Sequence, residues 1–102
     1  IVNDFKKAFN DVDLIVGPAM PCVAMNLGES DKSPMFGELM DVLTEPSSIA
    51  GINGISVPCG LSNGMPVGLQ IMANMFEETK VLKAAYRFQQ VTNYHKVKAE
   101  LK

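Results

Sequence analysis

An α/β layer arrangement follows from three patterns in the sequence. Ile55–Cys59 and Val67–Ala73 alternate apolar residues with others, as strands do, and the stretch between them holds the tight-turn pair Asn63-Gly64. Glu77 to about Tyr94 repeats apolar residues at helical spacing through Val81, Ala84, Ala85, Phe88 and Val91. Asp13-Leu14-Ile15-Val16 is a short apolar run halted by Gly17-Pro18, which fits a buried strand ending at the rim of a sheet.

In chain order, Ile1 to Phe9 places Val2, Phe5 and Phe9 on one helical face, with Asp4, Lys6 and Lys7 on the other. The strand at 13–16 follows. Ala19 to Pro34 carries Pro21, Gly28 and Pro34 without a sustained period and reads as a loop, the kind of segment in which sites are built. Met35 to Leu43 predicts a helix with Phe36, Leu39, Met40 and Leu43 as its apolar stripe, closed by Glu45-Pro46. Ser47 to Gly54 is small and turn-rich, with room for a helical turn over Ser47–Ala50 after Pro46. Ile55 to Ala73 then reads as an antiparallel hairpin with a longer loop over 60–66. Pro58, lacking an N–H, belongs at an edge or a strand end. The helix from Glu77 carries Glu77 and Glu78 at the positive end of its dipole, and Lys96 and Lys98 follow it as a polar tail. The order is helix, strand, helix, hairpin, helix.

Composition narrows the class. With 102 residues the chain is the size of one small domain, and 47% apolar residues suffice to offset the entropy of ordering. Nine basic and 11 acidic residues leave a net charge of −2, so the whole surface has no electrostatic footprint for nucleic acid or anionic lipid. No apolar run approaches the roughly 18 residues of a membrane span, and no signal peptide opens the chain. Cys22 and Cys59 each follow a proline, lack the spacing of a zinc or redox motif, and read as buried thiols in a reducing compartment. A sheet of about three strands is thin for an independent domain, and Ile1 opens in a helical pattern. The sequence therefore reads as part of something longer.

Chemistry-bearing residues are sparse. His95, the only imidazole, stands just past the last helix and reads as a solvated or capping residue; no motif pairs it with Cys22 or Cys59. Ser47-Ser48 lacks a nucleophile elbow and a nearby lysine, and reads as a turn or helix start. The glycines have no phosphate-cradling spacing, and the seven methionines read as adaptable core filler. Glu38, Asp41 and Glu45 fall at three- and four-residue spacing, on one stripe of a helix reaching Thr44. Such a stripe is either a solvated acidic face or a carboxylate awaiting a cation such as a substrate ammonium, and spacing alone does not single out Asp41.

Five stretches carry a family resemblance: Asp13-Leu14-Ile15-Val16-Gly17-Pro18, Asp41-Val42-Leu43-Thr44 with Pro46, Ala50-Gly51, Ile55-Ser56-Val57-Pro58-Cys59-Gly60, and Met65-Pro66-Val67-Gly68-Leu69-Gln70-Ile71. Together they resemble the C-terminal part of the amidase signature family. The helix from Phe76-Glu77-Glu78 to Phe88-Gln89-Gln90 and the ending Tyr94-His95-Lys96 resemble the glutamine-hydrolysing subunits of tRNA-dependent amidotransferases more than general amidases. The resemblance implies that residues 1–102 are the C-terminal segment of an amidase domain, part of a mixed sheet flanked by helices. It implies a cytoplasmic enzyme that hydrolyses glutamine and passes ammonia to partner B and C subunits. Those partners use ATP and Mg to turn Glu-tRNA(Gln) into Gln-tRNA(Gln), so no cofactor, metal or membrane is expected for this chain itself.

The family's catalytic serine, second serine on a cis peptide, and lysine belong to a Gly/Ser-rich signature that these residues do not contain. The 102 residues alone are therefore expected to be inactive. The aspartate before the family's Leu-Thr-x-Pro stretch holds the α-amino group of glutamine, and here that position is Asp41. Met40 stands where the family often has asparagine, and Ser47-Ser48 replaces an apolar residue and asparagine. The other expectations are a general amidase, or a non-catalytic interaction module built on the same half-fold.

Overall fold

The computed structural model describes residues 1–29, 32 and 34–101, and for 34–36 the backbone alone. Helix α1 (Val2–Asp11) stacks Phe5 on Phe9 at 6.4 Å between ring centroids and ends where Val12 turns extended. Strand β1 (Ile15–Pro18) follows, then α2 (Pro34–Met40), α3 (Glu45–Ala50), β2 (Asn53–Ser62), β3 (Met65–Ala73), α4 (Glu78–Val91) and a 3-10 turn over Tyr94–Lys96. The three strands form one antiparallel sheet in the order β1-β3-β2, so β3 is paired on both sides. This is the α/β arrangement that the periodicities predict.

The register sorts side chains onto two faces, because neighbours along a strand point opposite ways. Ile55 pairs with Ile71 and Val57 with Leu69, and these residues face α4. Val57, Ile71, Ala73, Val81 and Ala85 are buried together, with Leu14, Ile55, Leu69, Ala84 and Phe88 packed around them. On the opposite face Ile15 pairs with Met72 and Gly17 with Gln70. Helices α1 and α3 meet over Ile15 there, where Phe5, Ala8 and Pro46 line one hollow.

Four expectations are corrected. The hairpin has no long loop: β2 and β3 run on to the pair Asn63-Gly64, whose φ values of 51° and 77° make the left-handed turn that matches strand twist. Gly60, Ser62, Gly64 and Pro66 look like loop residues, yet a bulge at Cys59, between the pairs Pro58–Gly68 and Gly60–Val67, keeps the ladder in step. The helix expected over 35–43 is shorter: α2 ends at Met40 and a turn covers 41–44, while the helical turn expected over Ser47–Ala50 is there as α3. Pro46 has no N–H for the carbonyl of Val42, which disfavours carrying a helix through it; within the first turn of α3 that missing donor costs nothing. Gly51, at φ 68°, closes α3 in the left-handed conformation.

The last helix stops at Val91, which is 83% exposed instead of buried, and Thr92 turns extended while its hydroxyl bonds the Phe88 carbonyl at 2.8 Å. The thiols are free, but Cys22 is exposed and Cys59 half-buried, so neither is a core thiol. Among the described residues no helix is long and apolar enough to cross a membrane. The side chain of Phe36, expected on the α2 stripe, lies outside the described residues.

Candidate functional site

The Gly17-Pro18 end of β1 leads into a cavity of about 940 Å³. Its walls are the 18–24 loop, the end of α2 at Met40, and the β2–β3 surface around Ser56, Pro58 and Gly68. The loop is fixed at its root, where the Ala19 N–H donates to the Gly68 carbonyl at 3.0 Å and Ala19 is 7% exposed. Gly68 makes that approach possible: a Cβ there would stand 2.7 Å from Ser56 Oγ and 3.2 Å from Ala19 Cβ. A glycine inside an alternating strand is the sequence signal for such a close contact.

Three residues beyond Ala19, the Cys22 thiol donates to Met40 Sδ at 3.5 Å across 18 residues of sequence. Met40 closes α2, and Asp41 opens the turn that follows. The Asp41 carbonyl organises that turn, accepting from Thr44 N at 3.0 Å, Glu45 N at 2.8 Å and Thr44 Oγ1 at 3.4 Å. Its carboxylate is exposed and has no ion-pair partner among the described residues. The acidic stripe expected along one helix does not form. Glu38 is on α2, Asp41 in the turn and Glu45 on the first position of α3, all exposed.

Chemically, the wall offers a mostly apolar surface with the Ser56 and Ser62 hydroxyls and the Cys22 thiol. A nucleophile needs a base within hydrogen-bond reach. His95 does not line this cavity; it lies on the 3-10 turn packed against β2, half-buried, with Nδ1 enclosed and unpartnered, and so is not the solvated cap expected. Ser47 is also committed elsewhere, its hydroxyl donating to the Thr44 carbonyl at 2.7 Å. No metal-binding cluster of His, Cys, Asp or Glu occurs among the described residues. Nothing in the sequence signals the Cys22–Met40 contact, since neither residue belongs to a motif and a loop separates them.

The profile of the amidase family matches residues 1–82. The glutamyl-tRNA(Gln) amidotransferase A subunit of Geobacillus sp. (strain WCH70) is 46% identical over 101 residues, which is 99% of this chain and 21% of that protein. Its counterpart in Thermoanaerobacter pseudethanolicus is 48% identical over 95 residues, or 93% of this chain and 20% of that one. The crystal structure of the corresponding Thermotoga maritima protein has a TM-score of 0.86 at 34% identity, covering 91% of this chain and 20% of that structure. A crystal structure described as an amidase gives 0.75 at 32%, over 86% and 21%. This chain thus spans about a fifth of the length of the proteins it matches. With the motifs at 13–18, 41–46, 55–60 and 65–71 in one unbroken order, these matches place it: the chain belongs to the amidase family.

Proposed function

We propose that this chain is the C-terminal segment of the glutaminase subunit of a tRNA-dependent amidotransferase. One observation supports the reading over that of a general amidase: glutamyl-tRNA(Gln) amidotransferase A subunits are 46% and 48% identical over 101 and 95 residues, whereas the structure described as an amidase is 32% identical. In this reading the full-length subunit hydrolyses glutamine in the cytoplasm. Its ammonia goes to B and C subunits, which use ATP and Mg to convert Glu-tRNA(Gln) to Gln-tRNA(Gln). The serine–cis-serine–lysine group that attacks the amide comes from outside these residues. This chain supplies the wall beside Met40 and the carboxylate that selects the substrate.

Asp41 is the substrate-binding residue in this proposal. Its carboxylate, exposed and without an ion-pair partner among the described residues, follows the cavity-lining Met40 and is suited to the α-ammonium of glutamine. A charge-assisted hydrogen bond there favours an amino acid over a plain amide, by about 1.5–3 kcal/mol. In the complete, assembled amidotransferase, Asp41→Ala is expected to raise KM for glutamine about tenfold or more. An amide substrate lacking the amino group should be unaffected. Equal losses on both substrates would remove the role. The 102 residues alone are expected to release no ammonia from glutamine, and ammonia release above background would overturn that part of the reading.

A further inference from the structure

Among the described residues, one side-chain hydrogen bond ties α2 to another segment, and it is the Cys22 thiol on Met40 Sδ at 3.5 Å. Both sulfur-bearing residues line the 940 Å³ cavity. The contact closes a chain of fixed points that starts in the sheet. β3 is paired on both sides, Gly68 on β3 holds Ala19, Cys22 lies three residues further along the same loop, and Cys22 meets the residue that precedes Asp41. The Asp41 turn itself is held by main-chain bonds to its own carbonyl, which fix its shape but do not place it over the cavity.

We propose that Cys22 is a positioning residue for substrate recognition: through Met40, which lines the cavity, it sets where the next residue, Asp41, presents its carboxylate. The inference rests on the glutamine reading of Asp41 given above. A thiol–thioether contact is weak, but a recognition group displaced by even an ångström loses much of its benefit. The exposed thiol also makes this position reachable from solvent. Iodoacetamide would form a carbon–sulfur bond at Cys22 Sγ, with iodide leaving and the thiol proton passing to solvent, and the added group would occupy the space held by Met40.

The test uses the assembled amidotransferase with Cys22→Ser, Met40→Leu and the double variant, beside Asp41→Ala. Cys22→Ser and Met40→Leu should each raise KM for glutamine about threefold to tenfold while kcat stays within about twofold, leaving the amide without an amino group unaffected. The double variant should match the singles, because both remove one shared contact. Iodoacetamide should reproduce the KM rise in the parent and have no such effect on Cys22→Ser. If Asp41→Ala raises KM for glutamine selectively but Cys22→Ser and Met40→Leu do not, the positioning role is overturned and the Asp41 reading survives. If the two sulfur variants weaken both substrates alike, Cys22 supports the loop only, and the proposal fails. If Asp41→Ala itself shows no selectivity, both readings fail together.

Discussion

The two faces of the sheet are built from the same strands and are packed by opposite means. On the α4 face, Val57, Ile71 and Ala73 meet Val81 and Ala85 in a continuous apolar layer. On the other face, Gly54, Ser56, Gly68 and Gln70 carry small or polar side chains, and a loop, a turn and short helices stand over them around an open cavity. One face is held by a continuous apolar layer; the other buries less, chiefly Met72, Ala50 and Ala19, and adds a few directed contacts such as Ala19 to Gly68 and Cys22 to Met40. Substitutions on the first face should therefore act on stability, and those on the second chiefly on substrate handling.

The largest expected effect lies in the apolar layer. Ile71 is 3% exposed, and Ile71→Ala should cost about 2–5 kcal/mol in denaturant unfolding, since the cavity left behind adds to the lost transfer energy. A loss under about 1 kcal/mol would mean that this face is not the core of the protein's stability. Next comes Gly68→Ala, whose new methyl would meet Ser56 Oγ at 2.7 Å and Ala19 Cβ at 3.2 Å. It should cost about 1–3 kcal/mol, and adding Ser56→Ala should recover part of that by removing the nearer clash. Full additivity of the two would break the picture of a crowded root beneath the loop.

The smallest effect belongs to an ion pair beside the two faces. Lys80 Nζ meets Glu77 Oε1 at 2.9 Å and Asp13 Oδ1 at 3.2 Å, tying the start of α4 to the residue that leads into β1. Hydrogen bonds donated to Glu77, then to Asp13, hold its pKa above the ordinary 10.5. A lysine raised in the folded state contributes fully below 10.5, and the contribution fades as pH climbs through the higher folded value. Lys80→Met should thus lower the melting temperature slightly near neutral pH, with the difference shrinking in high salt and above that pH. A difference that persists in molar salt would point to packing by the lysine stem.

The α4 face is the legible one. Strand alternation through Ile55, Val57, Leu69 and Ile71, and the 3.6-residue period through Val81, Ala85 and Phe88, both record burial, and burial is what makes that face. The cavity face is harder to read because it depends on chain direction and close approach. Leu39, Met40 and Leu43 keep a helical period although α2 ends at Met40 and a turn covers 41–44. The exposure of Cys22 and Val91 has no local signal either, since residue type sets a tendency to be buried and tertiary placement decides it. Asp41 stands out only through its family motif, because on spacing alone Glu38 and Glu45 are its equals.

The prolines in the outer strands have a consequence for behaviour in crowded solution. Within the described sheet β1 and β2 are the outer members, and each carries a residue that cannot donate a main-chain hydrogen bond, Pro18 in one and Pro58 in the other. The Cys59 bulge breaks the line of β2 as well. A second copy seeking to extend the sheet would find an interrupted row of donors on either flank, which disfavours strand-on-strand polymerisation.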